Sequence, residues 1–331
     1  MRVLVTGGTG FIGHHLVRRL ASSGAHVRVL CRRGSDLTRL REVAALIEFC
    51  YGDLKDPVSL REAVNGIDVL FHLAAATKGN WAEAYQATVK GTEHLLECAR
   101  CAGMRRVMYV SSMSVYDYAE MFPGAIVDES APLETRPETR NVYARSKYEA
   151  EAIARRYLNA SDIAVCILRP GAVYGPSGPA HIPTTFRILR DKVVFVIGGG
   201  LRQIPLVYVE NLVDALLLAA KSHQAIGQIY NVVDSPPVSE RLYVSRYLGL
   251  TDRQMPMVPI PLLPFLVAAR FYDLAARTSG RNPYSDIYRA MRRVTNRVLF
   301  SAQKVSRDLG WQSRVSLDEA IQANVEVGTH G

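Results

Sequence analysis

No apolar run in this 331-residue chain is long enough to cross a bilayer. A spanning helix needs about 20 such residues. The most apolar late stretch, PMVPIPLLPFLVAA at 256–269, is shorter and carries four prolines. Its favoured reading is core packing of a small lobe; contact with a membrane surface or an apolar substrate is the alternative. The N-terminus, MRVLVTGG, opens directly on a strand-like run and has no apolar segment followed by a cleavage site. A cytoplasmic protein with no transmembrane segment is expected. Cysteine is scarce: Cys31, Cys50, Cys98, Cys101 and Cys166 are odd in number and scattered. That excludes a disulfide framework and fits a reducing compartment. Cys98 and Cys101 form a C-x-x-C, but no second pair or histidine cluster accompanies it. They read as thiols buried on a helix, and no metal is expected.

Acidic residues are also short, 31 against 40 Lys and Arg, so the formal charge is +9. There is no zinc-finger spacing, no aromatic-basic RNA signature and no long Lys/Arg block, so a nucleic-acid partner is not expected. An electropositive cleft for an anionic cofactor or substrate explains the sign. Repeats and low-complexity tracts are absent. With 48% apolar and 21% charged residues, the chain can bury a normal core.

What is present is alternation. RVLVT (2–6), HVRVL (26–30), IEFCY (47–51), DVLFHL (68–73), RVMYVSS (106–112) and IAVCILRP (163–170) read as strands. Amphipathic segments lie between them near 11–23, 57–65, 83–102 and 143–158. Strands alternating with helices predict an α/β fold, a Rossmann-type doubly wound parallel sheet. Residues 1–170 are expected to form the dinucleotide-binding domain. Residues 171–331 are expected to form mostly a smaller substrate lobe, with one strand near 228–233 returning to the sheet.

The loop after the first strand, TGGTGFIG, places Gly7, Gly10 and Gly13 as G-x-x-G-x-x-G before a helix. Glycines there allow a tight turn and bring backbone N–H groups to a pyrophosphate at the helix N-terminus. The second strand ends in Cys31, Arg32 and Arg33, where an NAD site usually has an acid. Guanidinium groups suit a 2′-phosphate, so NADP(H) is favoured and NAD(H) stays open. Asp36 is the substitute acid if NAD(H) binds. Asp53, after the third strand, is placed to accept from the adenine amino group.

Tyr143 and Lys147 are four residues apart at the start of a predicted helix, so they leave one face. Beside a nicotinamide, a tyrosine can carry the proton that accompanies hydride transfer, and a neighbouring ammonium favours its phenolate. Ser111, Ser112 and Ser114 end the fifth strand, at the sheet edge where such folds bind ligands.

Taken together, TGGTGFIG, GDL (52–54), FHLAA (71–75), YVSSMSVY (109–116), YARSK (143–147), LRPGAVYGP (168–176), LVYVENLVDALLLAA (206–220) and FSAQKVSRDLGW (300–311) resemble the extended short-chain dehydrogenase/reductase family. That family includes the NAD-dependent epimerase/dehydratases and the 3β-hydroxysteroid dehydrogenase-like enzymes. The resemblance implies Ser112, Tyr143 and Lys147 as catalytic residues. It implies cofactor contacts from Gly7, Thr9, Gly10, Phe11, Ile12, Gly13, Arg32, Arg33, Asp53, Leu54, Ala74, Ala75, Lys147 and Pro170. It also implies a homodimer through the helices at 83–102 and 143–158.

Departures narrow the activity. Dehydratases of the family carry Asp-Glu where this chain has Met113 and Ser114. Sugar-nucleotide epimerases usually have an arginine where Ile204 stands, with Arg202 two residues off. Thr88 replaces a family asparagine that makes a structural hydrogen bond. Asp117 begins an expected lid over 117–140. Between 269 and 297, Arg270, Arg277, Arg281, Arg289, Arg292, Arg293 and Arg297 outnumber Asp273 and Asp286 by five charges. They read as a diphosphate receptor or a solvated helix face. The expected activity is hydride transfer between nicotinamide and a secondary alcohol or ketone; the alternative is a nucleotide-sugar epimerase with retained NAD.

Overall fold

A computed structural model describes residues 1–160, 162–178, 186–189, 192–250, 255–279 and 286–328. Seven strands build the central sheet: β1 (Arg2–Thr6), β2 (His26–Cys31), β3 (Ile47–Tyr51), β4 (Val69–His72), β5 (Arg106–Val110), β6 (Ala164–Pro170) and β7 (Ile229–Val232). All pair in parallel, in the order β7-β6-β5-β4-β1-β2-β3. The order reverses between β1 and β4, the switch point where doubly wound sheets bind ligands.

Most of these strands are apolar on both faces because helices cover both. Side chains alternate across the sheet. Val3, Val5, Met108, Val110, Cys166 and Leu168 pack on one side with α1 (Phe11–Ser22), α5 (Val209–Lys221) and α9 (Gln303–Leu309). Leu4, Val107, Tyr109, Val165 and Ile167 pack on the other with α2 (Pro57–Val64), α3 (Gly91–Cys101) and α4 (Val142–Arg155). Thus α5, β7 and α9, all beyond residue 170, complete the core around the central sheet. A separate core joins Tyr174, Val194, Ile204 and Tyr208 to Tyr243 and Leu248 of α6 (Glu240–Leu250) and Ile321 of α10 (Leu317–Gly328).

Several expectations change. The helix foreseen at 83–102 is a short turn (Trp81–Ala84), a π-helical stretch (Tyr85–Lys90) and then α3. Cys98 is buried on α3, but Cys101 faces solvent, so the thiols are not a buried pair. The 256–269 stretch is core only in part: Met257 packs against the separate core and Ala269 is buried, but most of the rest is exposed. Met257–Ile260 pairs with Val193–Ile197, and Pro264 then sits in the first turn of α7 (Leu263–Thr278). Of α7 only Ala269, Asp273 and Ala276 are buried.

The arginines of α8 (Ile287–Thr295) are neither a solvated face nor a diphosphate receptor. Arg289 and Arg293 are buried. Arg289 pairs with Asp117, and Arg293 pairs with Glu134 at 2.6 Å. Asn296 donates to the carbonyls of Tyr118 and Met121, and Arg292 to that of Ala119. These contacts fasten the 117–140 segment. Arg281 lies outside the described residues.

Candidate active site

Asn141 caps α4, its Oδ1 accepting from the Ala144 N–H at 2.8 Å. Tyr143 therefore sits in the first turn and Lys147 one turn later, on the same face. β5 ends at Val110, shorter than the predicted strand, and the chain turns so that its serines diverge. Ser111 is buried and donates to Glu151 Oε2 at 2.5 Å. Ser112 is partly open; its Oγ accepts from the Ser114 N–H at 3.1 Å and lies near enough to the Tyr143 hydroxyl to lower its pKa. Ser112, not Ser111, meets the tyrosine.

Lys147 is buried and donates to the Val110 carbonyl at 2.7 Å. Burial lowers its pKa to about 8, against the Glu151 carboxylate, which holds it up. Burial raises the Tyr143 pKa, and the Ser112 hydroxyl opposes that rise. Tyr143 is thus kept as the neutral phenol, a proton donor.

Glu151 escaped the sequence reading. It lies one further turn along α4, almost fully buried, and takes the guanidinium of fully buried Arg169 through bonds of 2.5–3.2 Å. Arg169 also donates to the Tyr116 hydroxyl at 2.6 Å, which donates to Asn231 Oδ1 at 2.7 Å. This chain ties α4 to β6 and β7, so the Tyr143–Lys147 face is fixed against the sheet. The 143, 147, 151 spacing was visible; what the carboxylate would meet was not.

The glycine loop follows β1. Gly7 has φ +74°, and a Cβ there would lie 2.8 Å from the Ala74 N. A Cβ on Gly13 would lie 2.0 Å from the Gly7 carbonyl oxygen. The loop therefore presses against the ends of β1 and β4 with no room for side chains. Gly10 caps α1 with no side-chain hydrogen bond. The first-turn N–H groups of Phe11, Ile12 and Gly13 are left for another acceptor, with the helix dipole behind them. Thr9 lies in this open turn. The loop thus fits a dinucleotide pyrophosphate. Phe11 underlies Gly178, and the Pro176 carbonyl reaches His15 Nε2 at 3.2 Å, so the 174–178 segment crosses above the loop.

Ala74 and Ala75 follow β4, and Pro170 ends β6, buried. Beneath them Thr6, His72 and Thr92 form a buried chain of 2.7 and 2.9 Å. Thr88 Oγ1 accepts from the Ala76 N–H at 2.8 Å, so the substitution at 88 still supplies a structural hydrogen bond. Asp53 lies beyond β3, its Oδ1 taken by the Lys55 N–H, and Leu54 packs against Gly91. Arg32 and Arg33 are exposed beyond β2, with the Arg33 guanidinium 5.6 Å from the Tyr51 ring centre. Asp36 Oδ1 accepts from the Thr38 N–H, which engages the substitute acid in a turn. Ile204 is buried, and Arg202 is bound to Glu240 at 2.5 Å.

Comparison with known proteins agrees with this geometry. A sequence model of the NAD dependent epimerase/dehydratase family matches residues 3–232. A 4-hydroxy-2-methyl-3-oxo-4-farnesyl-3,4-dihydroquinoline-1-oxide ketoreductase of Stigmatella aurantiaca is 29% identical, over 100% of this chain and 98% of the relative. A decarboxylating sterol-4-alpha-carboxylate 3-dehydrogenase of Mus musculus is 26% identical, over 98% of this chain and 90% of the relative. The solved UDP-glucuronic acid 4-epimerase of Bacillus cereus, in complex with NAD, matches with a TM-score of 0.74, covering 100% and 99% of the two chains at 21% identity. That last likeness is one of fold. The chain belongs to the NAD dependent epimerase/dehydratase family, and it is an enzyme that works with a nicotinamide dinucleotide.

Proposed function

We propose that the enzyme reduces an apolar ketone, or oxidises the matching secondary alcohol, with net turnover of NADP(H). The observation that carries this is the Ser112–Tyr143–Lys147 cluster beside the glycine loop, combined with an Arg202 already held by Glu240. With Ile204 buried and Arg202 engaged, the arginine expected to grip a sugar nucleotide's pyrophosphate is missing from its place. The named activities of the Stigmatella and mouse relatives, on a farnesylated quinoline oxide and a sterol carboxylate, support an apolar substrate.

In this reading Gly7, Gly10 and the first turn of α1 hold the pyrophosphate. Arg32 and Arg33 hold the adenosine 2′-phosphate. When bound, the nicotinamide supplies or takes the hydride. Ser112 hydrogen-bonds the substrate oxygen. Tyr143, kept protonated by burial, gives its proton to that oxygen in reduction and takes it back in oxidation. Lys147 keeps two N–H donors beyond its bond to Val110 for the cofactor ribose, and its charge steadies the phenolate. Residues 171–331 supply most of the substrate side, and two chains pair through α3 and α4.

The test begins with the chain purified without added nucleotide, then denatured to release whatever it holds. An empty site that binds NADPH more tightly than NADH, and then consumes NADPH with bulky apolar ketones, is the expected result. Replacing Arg32 and Arg33 with alanine should erase that preference. Stoichiometric NAD or NADH in the released fraction, with interconversion of nucleotide sugars and no net redox change, would establish the epimerase instead.

A further inference from the structure

The surface of α7 runs opposite to a normal surface helix. A helix on a globular protein turns its apolar stripe inward and its charges outward. Here the inward residues are Ala269, Asp273 and Ala276. Asp273 accepts from the Ile287 and Tyr288 N–H groups at 3.0 and 2.9 Å, so the single acid of the helix is spent capping α8. The outward side carries Leu263, Val267, Phe271 and Leu274, with relative exposures of 69%, 45%, 68% and 60%. At 100° per residue these four fall within one quadrant, centred about 150° from the buried line. Arg270 and Arg277 lie on one flank, both exposed.

We propose that α7 docks this enzyme on an anionic lipid surface, lying in the plane of the headgroups. An apolar outward stripe with arginines along its edge is the pattern of an in-plane interfacial helix. Charge complementarity selects the occupant: the only acid of the helix is turned inward, and although Arg277 lies 4.0 Å from Asp286, exposed Arg270 leaves the rim of the stripe net cationic. Anionic headgroups also meet the chain's excess of positive charge. A second copy of the chain fits less well. The stripe is one helix of about 24 Å, well short of the roughly 20–30 residues a side of a stable protein interface. Two such faces would also bring like-charged rims together. A groove of about 620 Å³ runs along α7, with Leu263, Val267 and Phe271 of the stripe in its lining and charges of both signs, Arg270 and Arg277 beside Glu120 and Asp286. Ser112, Tyr143 and Lys147 are not among its lining residues, although Glu120 and Arg136 of the 117–140 segment are.

The proposal goes beyond the ketone-reductase reading and stands without it, because vesicle binding is measured with no substrate. The full-length chain is floated with vesicles of phosphatidylcholine alone, and of phosphatidylcholine with a minor fraction of phosphatidylglycerol. It should rise with the anionic vesicles and largely stay behind with the neutral ones. Phe271→Ser with Leu274→Ser, both exposed and so harmless to the fold, should lower binding by at least about tenfold. Arg270→Gln should lower it about fivefold on anionic vesicles only. A chain that floats with neither vesicle, or a double variant that floats as well as the parent, overturns the proposal. So does a double variant that turns a dimer into a monomer in sedimentation while the parent ignores vesicles; the stripe would then belong to a second copy.

Discussion

Tyr143 and Lys147 were legible because a four-residue spacing at a helix start carries its own geometry. Replacing Tyr143 with phenylalanine should cut turnover by about 10²–10⁴-fold, the usual weight of a positioned proton carrier. Cofactor binding, followed by nucleotide fluorescence, should persist; unchanged turnover would remove Tyr143 from the chemistry. Lys147 sets a pH limit. Its pKa is lowered to about 8, chiefly by burial, so the free enzyme loses the ammonium as pH rises through that value. Affinity for the nucleotide should therefore fall above about pH 8, and Lys147→Met should be weak and flat across the same range in a titration series. The resemblance named Ser112, but residue chemistry alone did not choose between Ser111 and Ser112. The choice depends on where Glu151 and Arg169 draw one hydroxyl, a matter of tertiary contact.

Among the elements, the strands were the most legible. A strand buried on both faces reads as a short apolar run, and β1 and β3 occupy the predicted spans. The 83–102 helix was less so, because its π-helical stretch shows no break in amphipathic period. Arg289 and Arg293 were misread because charge counting cannot see a partner more than 150 residues away. Glycine spacing, by contrast, states a packing limit directly. Gly13→Ala would place a methyl group against the Gly7 carbonyl oxygen, so the loop should shift, with about 1–3 kcal/mol lost and nucleotide binding impaired. Binding isotherms with thermal melts would check both. Glu134 holds Arg293 and Arg140 while buried. Glu134→Gln should cost about 3 kcal/mol, the lower end for breaking a buried pair. A denaturation series would read it, and a change within error would show the 117–140 segment to be held by its backbone contacts alone.

Over the whole molecule, one buried group governs acid stability. His72 is fully buried between Thr6 and Thr92, and burial, aided by the Lys147 charge, holds its pKa at about 3. In the unfolded chain it would be near 6.5. The unfolded state thus binds the extra proton between about pH 3 and 6.5, so stability must fall as pH falls through that window. The urea midpoint should drop from pH 7 to pH 4, and His72→Gln should flatten the drop. The parallel sheet and its nucleotide edge could be foreseen from β1 to β6. So could the return of a strand near 228–233, but not how residues 311–315 fasten to the helix at 209–221. Asn211 accepts from the Arg314 and Val315 N–H groups, and its own carbonyl takes the Trp311 indole, joining positions a hundred residues apart.

The pairing of Asp117 and Glu134 with Arg289 and Arg293 has a consequence in time as well as space. On the ribosome, β1 to β6, the glycine loop and α4 emerge well before α8 is made. Domains fold as the chain is synthesised, N-terminal parts first. The segment that leaves the Ser112 strand must then wait, Asp117 without Arg289 and Glu134 with Arg140 alone, until α8 arrives. The wall beside the reacting centre is the late-assembled part of the enzyme, so a chain halted before α8 would lack both the arginines that fix the 117–140 segment and the α9 helix that completes the core.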